Sequence, residues 1–151
     1  MIQLAQARDR EAVERLARQV HQRHVDWRPD LYEMPAELFP LERFQNAAVN
    51  RQLYVAKVGN EIVGYALINI RVAEGIGRVR RKVMLLEELC VDEGVRRQGF
   101  GSQMVTDLRA LARAFGCGRL QLGVFPQNDE AVNFYQKNGF FISSISMQSS
   151  V

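Results

Sequence analysis

The sequence predicts one α/β (α+β) domain in which helices flank a mixed and mainly antiparallel sheet. Its 151 residues suit a single domain, because a chain of this length can bury roughly two-thirds of its unfolded surface. Strand-like apolar runs alternate with helical periodicities only in part, which favours a mixed sheet over a parallel one. Gly59-Asn60 between two such runs is a hairpin signal, and it predicts that the flanking strands are antiparallel.

The first third of the chain predicts one short strand and two helices. The expected elements are a strand at Ile2–Ala5, a helix at Arg8–Arg23 and, after a long loop, a helix at Leu41–Val49. Asp9 or a neighbour is expected to cap the first helix. Residues 24–40 contain three prolines and scattered acids, so they are predicted to form the loop. A long loop inside a compact domain is often functional.

The middle of the chain predicts three strands, at Leu53–Val58, Ile62–Val72 and Met84–Val91. The last of these is apolar at both Leu85 and Leu86, which indicates a central position in the sheet. The basic residues around the Gly75-Ile76-Gly77 turn are most simply a solvated hairpin tip. They are Arg71, Arg78, Arg80, Arg81 and Lys82.

The last third predicts two helices and two strands. Apolar residues recur at helical spacing from Met104 to Phe115, and the glycines at 116 and 118 end that helix. A strand is expected at Leu120–Phe125, and Asn128 is expected to cap a short helix that stops at Asn138-Gly139. Phe140–Met147 is predicted to be the last strand.

Composition favours an ordinary globular protein, with 47% hydrophobic and 25% charged residues and a net charge of +3. No apolar run reaches the roughly 18 residues of a membrane helix, and residues 1–8 lack a signal-peptide core, so we expect a cytoplasmic protein without a membrane partner. No aromatic residues interleave with the arginines, so nucleic-acid binding is not expected.

The histidines and cysteines do not predict a metal site. His21 and His24 lack a third ligand nearby. Cys90 and Cys117 are interpreted as core or turn residues.

The most informative segment is Arg96-Arg97-Gln98-Gly99-Phe100-Gly101, which joins an apolar strand to an apolar-periodic helix. Glycines let the backbone turn tightly and approach a ligand, and the first amides of a helix are free to bind an anion. The segment is not a P-loop, because Ser102-Gln103 follows Gly101. It is not a dinucleotide fingerprint either, because Met104 stands where a third small residue is needed. A pyrophosphate still suits the position.

The segment resembles the acetyl-CoA signature of the GNAT superfamily of N-acetyltransferases, with Arg96, Gly99 and Gly101 at the family's positions. Two further blocks resemble the family at its spacing: Glu87–Asp92 before the segment, and 128–140 after it, which reads Asn-x-x-Ala-x-x-Phe-Tyr-x-x-x-Gly-Phe. The resemblance implies a GNAT-type fold in which the strand at 84–91 splays from the strand at 120–125. It also implies acetyl-CoA as the acetyl donor and CoA as a product.

The resemblance also implies which residues hold the cofactor. The backbone of Leu89, Cys90 and Val91 would pair with the pantetheine amides, as an added strand would, and Asn128 would help to hold the same arm. The pyrophosphate would lie against the loop and first helical turn, formed by Arg96, Arg97, Gln98, Gly99, Phe100, Gly101 and Ser102.

Acetyl transfer to an amine requires a base for the ammonium and an acid for the departing thiolate. Glu87 and Glu88 are the candidate bases, and strand alternation predicts that they face opposite sides of the sheet. We choose Glu87, because similar small-amine acetyltransferases have a glutamate there; other members have their base where this chain has Leu85, so Glu87 could also be structural. Tyr135 is the predicted acid, and the alternative is that Phe134 and Tyr135 simply pack.

The acceptor is less closely defined. Acids and aromatics in the N-terminal region suit a cation, which favours a primary amine on a small molecule or peptide. They are Asp26, Trp27, Asp30, Tyr32, Glu33 and Glu37. Aminoglycosides, polyamines, amino acids and protein N-termini all remain open, as does a homodimer. The alternatives to an enzyme are a non-catalytic acyl-CoA-sensing module and a protein-interaction domain.

Overall fold

The computed structural model describes residues 2–151 and contains an open five-stranded sheet with helices on both faces. The strands are β1 (Ile2–Leu4), β2 (Leu53–Val58), β3 (Glu61–Ala73), β4 (Arg81–Val91) and β5 (Arg119–Leu122). The helices are α1 (Arg10–Trp27), α2 (Leu41–Val49), α3 (Phe100–Ala114) and α4 (Asp129–Lys137).

The strands lie in chain order, β1-β2-β3-β4-β5, and each neighbouring pair from β1 to β4 is antiparallel. β5 is parallel to β4, and helix α3 provides the crossover that a parallel connection requires. The predicted mixed, mainly antiparallel sheet is therefore confirmed.

Two apolar clusters cover the two faces of the sheet. Helices α1 and α2 bury Val13, Leu16, Ala17, Phe44 and Ala47 against one face. Helix α3 buries Met104, Leu108 and Ala112 against the other face, as its apolar spacing predicts. We call this second group of apolar residues the α3-side cluster. No helix within residues 2–151 combines the length and the apolar character that a membrane crossing needs.

Two predicted strands differ from the structure. β5 ends at Leu122 rather than Phe125, and the segment Phe140–Met147, predicted as the last strand, pairs with no strand in the described part of the chain. A strand requires a neighbour for its backbone N–H and C=O groups, and apolar composition alone does not supply one. The prediction of a last strand is therefore wrong for the isolated chain.

Candidate active site

The turn that leads from β4 into α3 is anchored to helix α1. Asp92 accepts a hydrogen bond from the Gly94 amide at 3.0 Å, and its carboxylate also binds Arg15 of α1. The hydrogen bond from Arg15 holds the pKa of Asp92 below its ordinary value. These contacts fix the position at which the glycine loop starts.

The glycine loop leaves the start of α3 open to an anion. Gly99 is the residue before the helix and has φ 88°, a left-handed conformation that favours glycine. No side chain of residues 2–151 caps this helix end, so its first amides point toward solvent with the positive end of the helix dipole. A Cβ on Gly101 would lie 3.0 Å from Cζ of Phe134, so glycine also allows α4 to approach closely.

The two arginines of the loop differ in their contacts. Arg96 donates from Nε to the Val91 carbonyl at 3.1 Å, so its side chain lies along the end of β4. Arg97 has φ 63° and, with Gln98 and Gly99, is exposed. The Val91 carbonyl thus already accepts one hydrogen bond at a position where the sequence predicts a pantetheine contact.

The sheet opens beside this loop. β4 pairs with β5 only from Val83 to Leu86, and the last β5 partner is Leu122. From residue 87 to 91, β4 keeps β3 on one edge and has no strand on the other edge within residues 2–151. The resemblance implied this splay, and it leaves a cleft edge at Leu89–Val91.

Cys90 contributes only its backbone to that edge. Its thiol is buried and donates to the Leu16 carbonyl at 3.3 Å. Burial raises the pKa of the thiol to about 12, so it is protonated at neutral pH. The interpretation of Cys90 as a core residue is confirmed.

Asn128 caps the start of helix α4, as predicted. The Asn128 side-chain oxygen accepts from the Ala131 amide at 3.1 Å, so this oxygen caps the helix and the side-chain NH₂ is the group left to face a ligand. Tyr135 packs against the α3-side cluster and between the rings of Phe134 and Phe140. Burial raises the pKa of Tyr135 to about 12, so the phenol is neutral at physiological pH.

A β-bulge places both candidate glutamates on the face covered by α1 and α2. Leu67 pairs with Glu88, but the next residue of β3, Ile68, pairs with Leu86, so Glu87 is an extra residue in β4. Leu86 and Leu89 consequently both contact the α3-side cluster, with the two glutamates between them. The expectation that the glutamates face opposite sides is wrong, because the bulge interrupts strict alternation.

The two carboxylates have different surroundings. Glu88 accepts from the Tyr65 hydroxyl at 2.7 Å and from Arg43 of α2 at 2.8 Å. The Arg43 guanidinium also lies 4.1 Å from the centre of the Phe39 ring. Glu87 is exposed and lines an open hollow of about 480 Å³. The other lining residues are Pro40, Glu42, Arg43, Asn46, Ala47, Gln52 and Leu67.

Three acids at the end of α1 and in the loop before α2 already have partners. Arg28 binds Asp30 with two hydrogen bonds, of 2.9 and 2.7 Å. Gln22 donates to Asp26 at 2.9 Å, and Arg10 lies 3.6 Å from Glu37. These contacts weaken the case for the loop as a cation site, because much of its negative charge is compensated locally.

The end of α1 is surrounded mainly by imidazole and aromatic side chains. His24 packs near Tyr32 and Phe125, with ring centroids 5.4 and 6.3 Å away, and Tyr32 also contacts His21. Burial, with a smaller effect of His21, lowers the pKa of His24. Arg43 and Tyr65, which contact Glu88, and Phe125, which contacts His24, were not predicted as site residues. They reach these positions only through the β3–β4 register and the packing of the loops, which no local sequence signal indicates.

Comparisons with known proteins agree with this geometry. The chain is 27% identical over 95 residues to the uncharacterized N-acetyltransferase YvbK of Bacillus subtilis, and the match spans 62% of this chain and 56% of that relative. The structure of a variant of the BH1408 protein from Bacillus halodurans superposes with a TM-score of 0.94 at 27% identity, covering 100% of this chain and 99% of the other.

A more distant structure shares the fold. It is the aminoglycoside N-acetyltransferase AAC(6')-Iy in complex with CoA, with a TM-score of 0.73 at 16% identity, covering 100% of this chain and 98% of that chain. The model of the acetyltransferase (GNAT) family matches residues 11–140, which include β4, the glycine loop and α4. This chain therefore belongs to the acetyltransferase (GNAT) family.

Proposed function

We propose that this protein is an acetyl-CoA-dependent N-acetyltransferase that acts on a primary amine of a small molecule or peptide. The observation that carries the proposal is the uncapped start of α3 beside the unpaired edge of β4. An anion-binding helix end and a free strand edge together suit a ligand that has both a pyrophosphate and amide groups. CoA has both.

The polar groups of the glycine loop suit the pyrophosphate of such a ligand. We propose that the amides of Phe100, Gly101 and Ser102 bind the pyrophosphate, with the exposed Arg97 and Gln98 beside them. Arg96 keeps its Nε on Val91 and can offer its terminal nitrogens to a phosphate oxygen.

The pantetheine arm is assigned to the neighbouring strand edge. Its amides would pair with the backbone of residues 89–91, and the Asn128 NH₂ would donate to the same arm.

We propose direct attack of the amine in a ternary complex. Bound acetyl-CoA supplies the acetyl group as a thioester. Glu87 removes a proton from the ammonium, directly or through water, because its carboxylate faces the open hollow while both oxygens of Glu88 accept hydrogen bonds. The amine nitrogen bonds to the carbonyl carbon and loses its second proton to water. The carbon–sulfur bond breaks as Tyr135 donates its proton to the thiolate, and the phenol then regains a proton from solvent.

The acceptor is proposed to enter at the hollow beside α2. Glu42 and Glu87 both line it, and an ammonium is attracted by two carboxylates more than by the compensated acids of the loop. Aminoglycosides, polyamines, amino acids and peptide N-termini all remain candidates.

Release of free thiol from acetyl-CoA tests the proposal. A panel of those four classes of amine should contain at least one that raises thiol release well above the rate with water alone. CoA should also raise the melting temperature, since a ligand at 100 times its Kd stabilises the folded state by about 2.7 kcal/mol. Stabilisation without amine-dependent release would indicate a sensing module, and neither effect would indicate an interaction domain.

Gly99→Val should reduce CoA affinity at least about tenfold, because a branched side chain at the helix start obstructs phosphate approach. Gly116→Val is the matched control. Gly116 follows the other end of α3, also has positive φ (74°, against 88° at Gly99), and a Cβ there would likewise meet nothing within 4 Å.

Both variants should lose about 1–3 kcal/mol of stability through backbone strain. The two variants should therefore have similar melting temperatures but different CoA affinities, which titration calorimetry measures. Equal CoA affinities in two folded variants would contradict the assignment of the loop.

A further inference from the structure

The hairpin between β3 and β4 extends beyond the rest of the sheet. The pairing of β3 with β2 ends at Leu67, and the pairing of β4 with β5 begins at Val83. Beyond these points β3 and β4 have only each other as strand partners within residues 2–151, as far as the pair Ala73–Arg81. The turn at 74–80 closes this two-stranded ribbon, and every residue of the turn is exposed.

The positive charge of the chain is concentrated in residues 71–82, which we call the basic ribbon. The basic ribbon contains five basic residues and one acid, so its net charge of +4 exceeds the +3 of the whole chain. Glu74 pairs with Arg80 at 3.2 Å. None of the other four basic side chains forms an ion pair with a carboxylate of residues 2–151. They are Arg71, Arg78, Arg81 and Lys82.

The neighbouring strand adds to this charge and does not compensate it. β5 begins at Arg119, which lies opposite Val83, and the Gly118 amide donates to the Lys82 carbonyl at 3.0 Å. The exposed Arg119 guanidinium donates to the Gly118 carbonyl rather than to a carboxylate. Cations that lie close together without counter-charges repel one another, and an anionic partner relieves that repulsion.

The basic ribbon lies far from the residues that are proposed to bind CoA. β4 begins at Arg81 and ends at Val91, where the cleft edge and the glycine loop lie. An extended strand of this length separates its two ends by roughly 30 Å. The charge of the ribbon is therefore not explained by the binding of CoA.

We propose that the basic ribbon docks the protein on a bilayer surface rich in anionic lipids. The turn of the ribbon carries two apolar side chains, Ile76 and Val79, which are both at least 85% exposed and lie among the arginines. A lipid surface accommodates both features. Its anionic headgroups attract the basic side chains, and the boundary between headgroups and acyl chains accepts the apolar ones.

A nucleic acid or a folded protein fits the basic ribbon less well. A nucleic acid offers no apolar layer to Ile76 and Val79, and residues 71–82 contain no aromatic ring that could stack on a base. A stable protein interface takes about 20–30 residues of each partner, which is more than the ribbon contains. The lack of a membrane-spanning run led us to expect no membrane partner, but docking on a bilayer surface requires no such run.

Sedimentation with lipid vesicles tests the proposal, which does not depend on acetyl transfer. In about 0.1 M salt, the wild type should bind vesicles with about 30% phosphatidylserine at least about 100-fold more tightly than vesicles of phosphatidylcholine alone. Each Lys or Arg near an anionic bilayer strengthens binding about fivefold, and the ribbon has a net charge of +4. In about 0.5 M salt the preference should fall below about tenfold, because salt screens the charges.

Charge reversal locates the binding surface. Arg78→Glu should weaken binding to the anionic vesicles about 30-fold, because it changes the charge of the ribbon by two. Lys137→Glu is the matched control, since Lys137 is an exposed residue of α4 and the reversal changes the net charge of the chain equally. It should change the affinity less than about threefold. Equal losses in the two folded variants would show that the ribbon is not the docking surface, and the proposal would be wrong.

Replacement of an apolar side chain separates lipid from other anions. Ile76→Ser should weaken binding to the anionic vesicles about fivefold, because a polar side chain gains nothing at the acyl boundary. Val58→Ser, at the turn that β2 and β3 form at the other end of β3, should have no effect. Equal binding of the wild type to both kinds of vesicle, or to neither, overturns the proposal. So does a DNA duplex or polyglutamate that binds the wild type while the anionic vesicles do not.

Discussion

Glu87→Gln should lower the rate of acetyl transfer at pH 7 about 100-fold, because the amide cannot accept the proton of the ammonium. An alkylammonium has a pKa near 10, so little free amine exists at neutral pH. The rate of the variant should recover in part at alkaline pH, where free amine becomes abundant. Initial rates from pH 6 to pH 10 with saturating amine are the measurement.

The neighbouring glutamates provide the controls for that experiment. Glu42→Gln removes a charge from the same hollow without removing the proposed base, so it should change KM for the amine more than kcat. Glu88→Gln weakens the contacts with Arg43 and Tyr65 and should cost less than about tenfold in kcat. If Glu88→Gln has the large loss and Glu87→Gln does not, Glu88 is the base.

Tyr135→Phe should lower turnover by a similar factor of about 100, because it removes the proton donor for the thiolate. The ring contacts with Phe134 and Phe140 do not involve the hydroxyl, so CoA affinity and thermal stability should stay near those of the wild type. Because its pKa is raised to about 12, the Tyr135 phenol stays protonated below that pH and loses its proton only above it. Tyr135 should therefore cause no decline in rate below about pH 11.

Tyr54→Phe is the matched control for the removal of a buried hydroxyl. The Tyr54 hydroxyl is buried in β2 and forms no hydrogen bond with any described residue. Its removal should leave activity unchanged and should not destabilise the fold, because no bond is lost. A Tyr135→Phe protein with wild-type turnover and normal CoA affinity would contradict the acid role of Tyr135.

The features that could be predicted from the sequence alone are local ones. Helix α2 has the predicted bounds Leu41–Val49, and Asn128 caps α4, because caps, prolines and apolar spacing act within a few residues. The glycine loop is equally local: positive φ at Gly99 and the close approach at Gly101 need glycine whatever the rest of the chain does. These local signals also carried the family resemblance, which the family match confirms.

The register of β3 against β4, and whether the last apolar segment finds a strand to pair with, depend on the assembled sheet. The extra residue in β4, Glu87, moves Glu88 to the face of the sheet that carries Tyr65 and Arg43. The sequence of β4 contains no signal that predicts this bulge. Residues 140–147 have the composition of a strand yet form none, since a strand exists only where another backbone completes its hydrogen bonds. Register and partner availability are properties of the assembled sheet, and the sequence of one segment does not contain them.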